Sequence, residues 1–328
     1  MGRPKAKIKN LCHRYSCHRH SHSSIYGSAI VNPKAFTLIE LLVVIAIIAL
    51  LMAIFIPVLR NAREQGQRVV CLSNLKQLTF AWLAYADEYD SKIVYGSSFT
   101  YGGLLWDKPV ESWLGDAFFY PKSRAALLES PDKGALWPYI KDVDFYHCPR
   151  GLDRHTATYT TVPSANGKPV DGTHLLRYDP WAMGLMPWEI PSKRIGSTLL
   201  RLTRLTDIVS PGAAQRSVFI DQSQTPYPAD FVVSYLYPIW RWSCPPPIRH
   251  GNGTTLSMAD GHVEYWKWKG RETVEMPRKL VPVLGLFKES LEGGDYVPQT
   301  EDGMYDLQRL QKATWGRLGY TLDDEGGP

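Results

Sequence analysis

A few side chains in the C-terminal half of the chain have the types and spacing needed for acid–base or metal chemistry. Nine residues separate His250 from the pair Asp260-Gly261, and His262 follows that pair directly. A histidine beside an aspartate can act as a general base or bind a metal ion. No serine or cysteine stands in a recognisable nucleophile elbow, however, and no carboxylate pair is evident. We therefore expect His250 to hydrogen-bond a loop carbonyl and hold a hairpin, with no catalytic residue, no metal site and no cofactor.

Asp221 is a further candidate because it ends the run Ser217-Val218-Phe219-Ile220. That run is β-branched and aromatic, which predicts a buried strand. A carboxylate at the end of a strand can be a ligand or a catalytic acid. It can also cap a turn, and we prefer this second interpretation.

Potential metal ligands also occur among the first 34 residues. They are Cys12, His13, Cys17, His18, His20 and His22. The spacing lacks the paired cysteines and distant paired histidines of a zinc finger. The same stretch carries seven Lys or Arg residues and no acidic residue before Phe36. We interpret residues 1–35 as a basic cytoplasmic leader that is discarded.

The elements around these residues are organised by one apolar segment. Leu41–Leu59 is 19 residues without a charge, which is long enough to cross a hydrocarbon core of about 30 Å as a helix. A cleavable signal core is shorter and is followed by a small-residue cleavage site, whereas here the polar stretch Arg60–Gln65 follows. A plain anchor gives no reason for Glu40 at the start of the segment, where a carboxylate is costly unless it is paired.

The stretch Ala35-Phe36-Thr37-Leu38-Ile39-Glu40 resembles the cleavage and methylation site of type IV prepilins and type II secretion pseudopilins. The resemblance implies that a prepilin peptidase cuts between Ala35 and Phe36 and methylates the new amino group. Ala35 stands where the family prefers Gly. Glu40 would be the fifth mature residue, whose carboxylate pairs with the terminal ammonium of a neighbouring subunit. Pro57 falls where pilin helices often carry a helix-bending proline.

This resemblance also implies location and partners. The basic leader would stay in the cytoplasm and the body of the chain would lie in the periplasm, with a single pass through the inner membrane. Partners would be the prepilin peptidase, other pseudopilins and the inner-membrane secretion platform, in a homo- or hetero-oligomer. Removal of the leader leaves 30 basic against 32 acidic residues. The processed chain therefore has no basic excess for binding nucleic acid.

The helix is expected to continue past the membrane to about residue 90. Apolar residues recur three and four positions apart, which marks one helical face; they are Leu72, Leu75, Leu78, Trp82, Tyr85 and Tyr89. We predict an α+β fold of the pilin type, in which a long N-terminal helix packs on an antiparallel sheet. The predicted regions are the leader 1–35, the helix 36–90, a β-rich domain 91–270 and a tail 271–328.

The region 91–270 is predicted to end in a hairpin. Asp260-Gly261 lies between extended runs, and glycine accepts the positive φ that a two-residue hairpin turn requires. The His250, nine residues, Asp260-Gly261 pattern resembles the C-terminal motif of a large prepilin-like family of planctomycete, verrucomicrobial and related bacteria. Further predictions are strands at 145–149 and at 204–212, and a short helix Leu307–Trp315 capped by Asp306 and stopped by Gly316.

Cysteines allow one structural cross-link. Cys71, Cys148 and Cys244 remain after the leader is removed, an odd number for an oxidising compartment. Cys148 is the natural partner of Cys71, and a disulfide between them would tie the sheet to the helix. The alternative is two unrelated buried thiols.

The sequence is compatible with three classes of function. The resemblance favours a pseudopilin or minor pilin-like structural subunit. The alternative is a membrane-anchored binding module, because the chain has 11 tryptophans and exposed rings could form a platform for a carbohydrate or polymer; candidates are Trp240, Trp242, Trp266 and Trp268. Catalysis ranks third, and we expect no enzyme.

Overall fold

A computed structural model describes residues 37–96, 112–118, 123–151, 156–165, 193–222, 231–241, 244–279, 282–283, 286–287 and 295–321. The predictions for Ala35, Phe36 and the leader lie outside these ranges. By its internal contacts the chain divides into two units, Met1–Phe55 and Ile56–Pro328. The region boundaries expected from the sequence stay a prediction.

Helix α1 runs from Leu38–Glu88, 51 residues, and contains Pro57. It begins with a reciprocal cap, in which the Thr37 backbone and hydroxyl both donate to Glu40 Oε2 at 2.8 Å. The Glu40 backbone donates in return to the Thr37 hydroxyl at 3.2 Å. This is a capping box, which satisfies backbone donors that a helix N-terminus leaves without partners.

The first half of α1 is apolar and exposed. Among the residues that the structure describes, α1 is the one helix that is long and apolar enough to cross a membrane. None of its most apolar stretch is buried. Exposed apolar side chains run from Leu38 to Leu59. A stretch of this kind is stable only when lipid or protein covers it.

The body of the protein contains a four-stranded antiparallel sheet. Its order is β1–β4–β5–β6, and its strands are β1 Tyr159–Thr161, β4 Ser217–Asp221, β5 Gly253–Met258 and β6 Val263–Lys267. Two small antiparallel pairs accompany it, formed by β2 Arg194–Ile195 with β3 Thr198–Leu199 and by β7 Pro282–Val283 with β8 Leu286–Phe287. The predicted strand at 217–221 is therefore β4.

The β5–β6 connection is tight. Gly261 has φ +93°, a value that L side chains rarely adopt. The Asp260 carboxylate accepts a hydrogen bond from the His262 backbone at 3.1 Å, and Leu256 and Met258 on β5 are buried. The hairpin is present, but β5 ends at Met258 and β6 begins at Val263, and only Gly261 of the pair Asp260-Gly261 has a positive φ, so the turn is longer than the predicted two residues.

The second half of α1 packs on this sheet. Its buried positions Cys71, Leu75, Leu78 and Trp82 belong to one core with Phe219 of β4. The expected α+β fold, a long helix on an antiparallel sheet, is confirmed. The buried face is rotated from the predicted one, since Cys71 is buried and Tyr89 is 44% exposed.

Two predicted strands are short 3₁₀ helices instead. Val143–Tyr146 occupies the start of the 145–149 region, and Asp142 caps it by accepting from the Asp144 backbone at 3.0 Å. Leu205–Asp207 lies in the 204–212 region, where the Asp207 carboxylate accepts from the Thr203 and Arg204 backbones, both at 2.8 Å. Aspartate side chains that bond local backbone favour turns over sheet pairing.

The remaining helices are short except one. They are α2 Arg124–Glu129, α3 Trp137–Ile140, α4 Arg271–Lys279 and α5 Glu301–Trp315. Gly316 stops α5 as predicted, with φ +81°. The predicted cap was wrong, because Thr300 caps α5. Asp306 is buried inside the helix and accepts from the backbones of Lys269 and Gly270 at 2.8–3.0 Å.

The tryptophans that the structure describes are packing residues. Trp240, Trp266 and Trp268 are 3–5% exposed, and Trp240 meets Trp268 edge to face with centroids 5.9 Å apart. Trp242 lies outside the described ranges. Interdigitated rings of this kind bury apolar surface in the core and do not form a flat, exposed binding platform.

Candidate functional site

Four buried side chains of metal-binding type converge between α1 and the sheet. Cys71 comes from α1, Cys148 from the loop after the 3₁₀ helix Val143–Tyr146, Asp221 from the end of β4 and His250 from the turn before β5. All four are 0% exposed. One thiol sulfur, one imidazole nitrogen or one carboxylate oxygen from each lies within 4.8 Å of the other three.

Three of the distances form a continuous chain of contacts. Cys71 Sγ lies 3.6 Å from Asp221 Oδ2. The same oxygen lies 3.4 Å from His250 Nε2, and this nitrogen lies 3.2 Å from Cys148 Sγ. One carboxylate oxygen and one ring nitrogen therefore link the two thiols.

Neighbouring polar groups fix the orientation of Asp221 and Cys71. Arg249 donates to Asp221 Oδ1 at 2.8 Å, and both side chains are nearly inaccessible to solvent. This contact leaves Oδ2 facing the cluster. The Tyr159 hydroxyl donates to Cys71 Sγ at 3.3 Å, and the Thr255 hydroxyl lies 2.9 Å from the same sulfur.

The Cys148 loop is held from both sides. The Asn74 side-chain amide, one turn after Cys71 on α1, donates to the carbonyls of Asp144 at 3.2 Å and His147 at 3.1 Å. The Cys148 backbone donates to the Thr158 hydroxyl at 2.7 Å. A loop without regular strand pairing is thus positioned by specific side chains.

The cluster shifts the acidity of its members. Burial raises the pKa of the Cys71 thiol well above its ordinary value. Hydrogen bonding to Cys71, followed by the His250 contact, lowers the pKa of Cys148 to about 7 despite burial. Burial favours the neutral His250 ring, but hydrogen bonds to Asp221 and Cys148 outweigh it and raise the pKa of His250 to about 9.

The structure places His250 differently from the sequence prediction. His250 lies in the turn before β5 and not on a strand, so its ring points at Cys148 and Asp221 and not at a loop carbonyl. Its Nδ1 is buried and has no hydrogen-bond partner among the residues that the structure describes. The ring is therefore held through its Nε2 side.

Asp260 and His262 are not part of this cluster. Both side chains are partly exposed beyond the far end of β5, where His262 Nδ1 lies 2.6 Å from Asp260 Oδ1 and its Nε2 lies 3.0 Å from Glu264 Oε1. Asp260 therefore lies apart from His250 and Asp221. Only His250 and Asp221 meet.

The four side chains have the types that bind metal ions, and all of them are closed to solvent. A catalytic metal site keeps an open position for substrate or water, while a structural site is closed by protein ligands.

A groove of about 560 Å³ lies elsewhere, beside α5, and its lining includes Trp266, Arg309 and Lys312 but no cluster residue.

The two cysteines of the predicted disulfide do lie side by side. Both are free thiols in the structure, as is Cys244. Cys71 and Cys148 Sγ are within 4.8 Å of each other, so the pair is close enough for a disulfide after a small movement and also for a shared metal ion. The disulfide stays a prediction.

Sequence reasoning missed the cluster as a unit. Each of its members was identified separately, as a disulfide partner, a turn cap or a hairpin support. One signal was available, because Cys71 and Asn74 occupy the helical face of Leu75 and Leu78. A cysteine and an amide on a buried apolar face need partners. Those of Asn74 are the carbonyls of Asp144 and His147 in the loop before Cys148. Those of Cys71 lie on the sheet, at Tyr159, Asp221 and Thr255.

The N-terminal site is described only in part. Glu40 accepts the hydrogen bonds from Thr37 that cap α1, a local role that the sequence analysis did not foresee. Pro57 lies inside the helix without ending it. Ala35 and Phe36 lie outside the described residues.

Comparison with known proteins gives one match. No curated protein and no solved structure matches the chain. The family model for the prokaryotic N-terminal methylation motif matches residues 32–56, a segment that contains Phe36, Glu40 and the first part of the exposed apolar helix. This match, together with the one membrane-length helix among the described residues, supports a membrane-anchored, type IV pilin-like protein that is processed by a prepilin peptidase.

Proposed function

We propose that the protein is a pseudopilin or minor pilin-like structural subunit of a type II secretion or type IV pilus-like system. The observation that carries the proposal is the coincidence of the methylation motif at 32–56 with a helix whose apolar first half is exposed. The helix would lie in the inner membrane before assembly, with the sheet domain in the periplasm. In a filament, the same apolar surface would pack against neighbouring subunits.

Assembly would use two opposite charges near the N-terminus of the mature chain. Cleavage before Phe36 creates a terminal ammonium, and Glu40 supplies a carboxylate four residues later. In low dielectric, opposite charges attract strongly. A pair between subunits would offset the burial cost of both charges and fix the axial stagger. Glu40 is exposed apart from its hydrogen bonds with Thr37, so it is available for such a pair.

The role proposed here is structural and not catalytic. The described cluster of titratable groups is closed to solvent, which fits a stabilising role for it. A binding module based on exposed tryptophans has less support, since six of the seven described tryptophans are buried. Partners would be other pilin-like subunits and the inner-membrane assembly platform.

The decisive experiment is intact mass and N-terminal analysis of the protein extracted from membranes of its native cell. A mature chain that begins with N-methylated Phe36 would establish processing. A chain that retains residues before Phe36 in cells with an active prepilin peptidase would leave a plain single-span anchor and overturn the proposal.

Variants at the cleavage position sharpen this test. We expect Ala35→Gly to be processed at least as well as the natural chain, because the family prefers glycine there. Ala35→Leu should accumulate unprocessed. Cells without the peptidase serve as the control, in which all three chains should keep the leader.

A further inference from the structure

We propose that Cys71, Cys148, Asp221 and His250 form a structural zinc site that ties α1 to the sheet. The proposal does not depend on the pilin assignment. It rests on the geometry of the four ligand atoms, their chemical types, the charge around them and their burial.

The spacing of the ligand atoms fits a tetrahedral ion. Zinc bonds of about 2.3 Å to sulfur and about 2.0 Å to nitrogen or oxygen give ligand–ligand edges of about 3.3–3.8 Å. The three consecutive contacts are 3.6, 3.4 and 3.2 Å. The remaining pairs lie within 4.8 Å, so small side-chain movements would close the tetrahedron.

The donor set selects zinc over the common hard cations. Two sulfurs, one imidazole nitrogen and one carboxylate oxygen suit zinc. Calcium and magnesium require mainly oxygen ligands in larger number. Only Asp221 offers oxygen as a charged ligand here, and Arg249 already binds its other carboxylate oxygen.

Arg249 also balances the charge of the site. Two thiolates and one carboxylate carry three negative charges, and a zinc ion carries two positive charges. The guanidinium of Arg249 lies 2.8 Å from Asp221 Oδ1 and supplies the third positive charge. A neutral group of buried charges avoids the large penalty of an uncompensated one.

Neighbouring side chains support Cys71 as a metal ligand. The hydroxyls of Tyr159 and Thr255 lie against Cys71 Sγ, and hydrogen bonds of this kind stabilise a thiolate. His250 Nε2 faces the other ligands, whereas its Nδ1 makes no hydrogen bond within the described structure. Nε2 is therefore the ring nitrogen that is placed to coordinate an ion.

The function of the ion would be to join distant parts of the chain. The ligands come from the long helix, an irregular loop, a central strand and the turn before the next strand. Because all four residues are 0% exposed, the site has no open position for substrate. It would stabilise the position of the sheet on the helix, and metal binding would contribute directly to folding.

The first test measures metal and thiols on one sample of the intact protein, as it is extracted from native membranes without chelator. Elemental analysis should find one zinc per chain. Alkylation after denaturation with a chelator and without reductant should modify both Cys71 and Cys148. After zinc is replaced by cobalt, the natural chain should show a thiolate-to-cobalt charge-transfer band and the visible bands of tetrahedral cobalt.

Matched variants assign the ligands. Asp221→Asn and Cys148→Ser should lose the bound zinc. Cys244→Ser, which changes the buried cysteine outside the cluster, should retain it. His250→Cys replaces one zinc ligand with another and should keep the ion, while His250→Gln should lose it. This last pair separates coordination from a general requirement for folding.

Two results would overturn the proposal. One is a Cys71–Cys148 disulfide without zinc, detected as a linked peptide in non-reduced digests. The other is a pair of free thiols in a chain that takes up neither zinc nor cobalt. Because both results come from the natural sequence, an unfolded variant cannot obscure them.

Discussion

The Asn74 side chain donates a hydrogen bond to the main-chain carbonyl of His147 at 3.1 Å. His147 directly precedes Cys148, and Asn74 lies one helical turn after Cys71. A single helix therefore positions both cysteines, one by carrying it and the other by holding its loop. The same amide reaches the Asp144 carbonyl at 3.2 Å.

Replacement of Asn74 by alanine should destabilise the protein. The partly buried carbonyls of Asp144 and His147 would lose their donor, and each such hydrogen bond contributes about 0.5–1.5 kcal/mol. Chemical denaturation of the detergent-solubilised chain measures the difference. Gln77→Ala, an exposed position on the same helix, is the control and should change the free energy of unfolding by less than about 0.5 kcal/mol. Equal effects would show that the amide has no special role.

Replacement of Arg249 by glutamine should lower the free energy of unfolding substantially. The Arg249 side chain is 9% exposed and that of Asp221 1%, and removal of one partner from a buried ion pair costs about 3–5 kcal/mol. The comparison is Arg271→Gln, which breaks the Arg271–Glu275 pair on the surface of α4. That change should cost less than about 0.5 kcal/mol. Similar losses of unfolding free energy in the two variants would contradict a buried electrostatic role for Arg249.

Much of the fold could be predicted because its signals are local. The apolar length of α1, the β-branched run of β4 and the Asp260-Gly261 turn each lie within a few consecutive residues. Hydrophobic periodicity and turn-forming residues predict the secondary structure of such stretches well. The 3₁₀ helices were missed because aspartate side chains bond nearby backbone, a competition that strand propensity does not include.

The cluster could not be predicted, because its members are far apart in sequence. Cys71 and Cys148 are 77 positions apart, and Asp221 and His250 are 29 apart. Their convergence depends on how a loop without regular strand pairing passes between helix and sheet. Asp306 illustrates the same limit. Its position suggested a helix cap, whereas tertiary contacts placed it inside α5 against the loop after β6.

The pH dependence of stability should carry a contribution from His262. Burial opposes protonation of its ring, but hydrogen bonds to Glu264 and Asp260 outweigh it and raise the pKa of His262 above its ordinary value. The folded pKa thus exceeds the unfolded value of about 6.5. The contribution is complete below about pH 6.5 and is lost as the pH rises through the folded pKa.

His262→Gln measures this contribution. The melting temperature of the variant should fall below that of the natural chain at about pH 5.5 and match it at about pH 9. The ring is 39% exposed, so the difference should be at most about 1 kcal/mol. An identical difference at both pH values would exclude titration of His262 as the cause.

Removal of the proposed zinc should lower the melting temperature. A ligand that binds only the folded state at a free concentration about 1,000 times its dissociation constant adds about 4 kcal/mol, or about 10 °C for a domain of this size. A strong chelator should therefore reduce the melting temperature of the natural chain. It should leave Cys148→Ser unchanged, because that variant has no zinc to lose. An equal decrease in both chains would point to an effect of the chelator itself.

Glu40 has two separable roles, as a helix cap and as the charge proposed to pair with a neighbouring subunit. Thr37→Ala keeps the Glu40 carboxylate but removes the Thr37 hydroxyl, which donates to that carboxylate and accepts from the Glu40 backbone. Glu40→Gln removes the charge but keeps a side chain that can cap the helix. We expect both variants to be processed at Phe36. Co-purification of tagged and untagged copies from membranes should fall at least about tenfold for Glu40→Gln, the equivalent of about 1.4 kcal/mol, and change little for Thr37→Ala. If the two variants lose association equally, capping and not charge is what assembly requires of this residue.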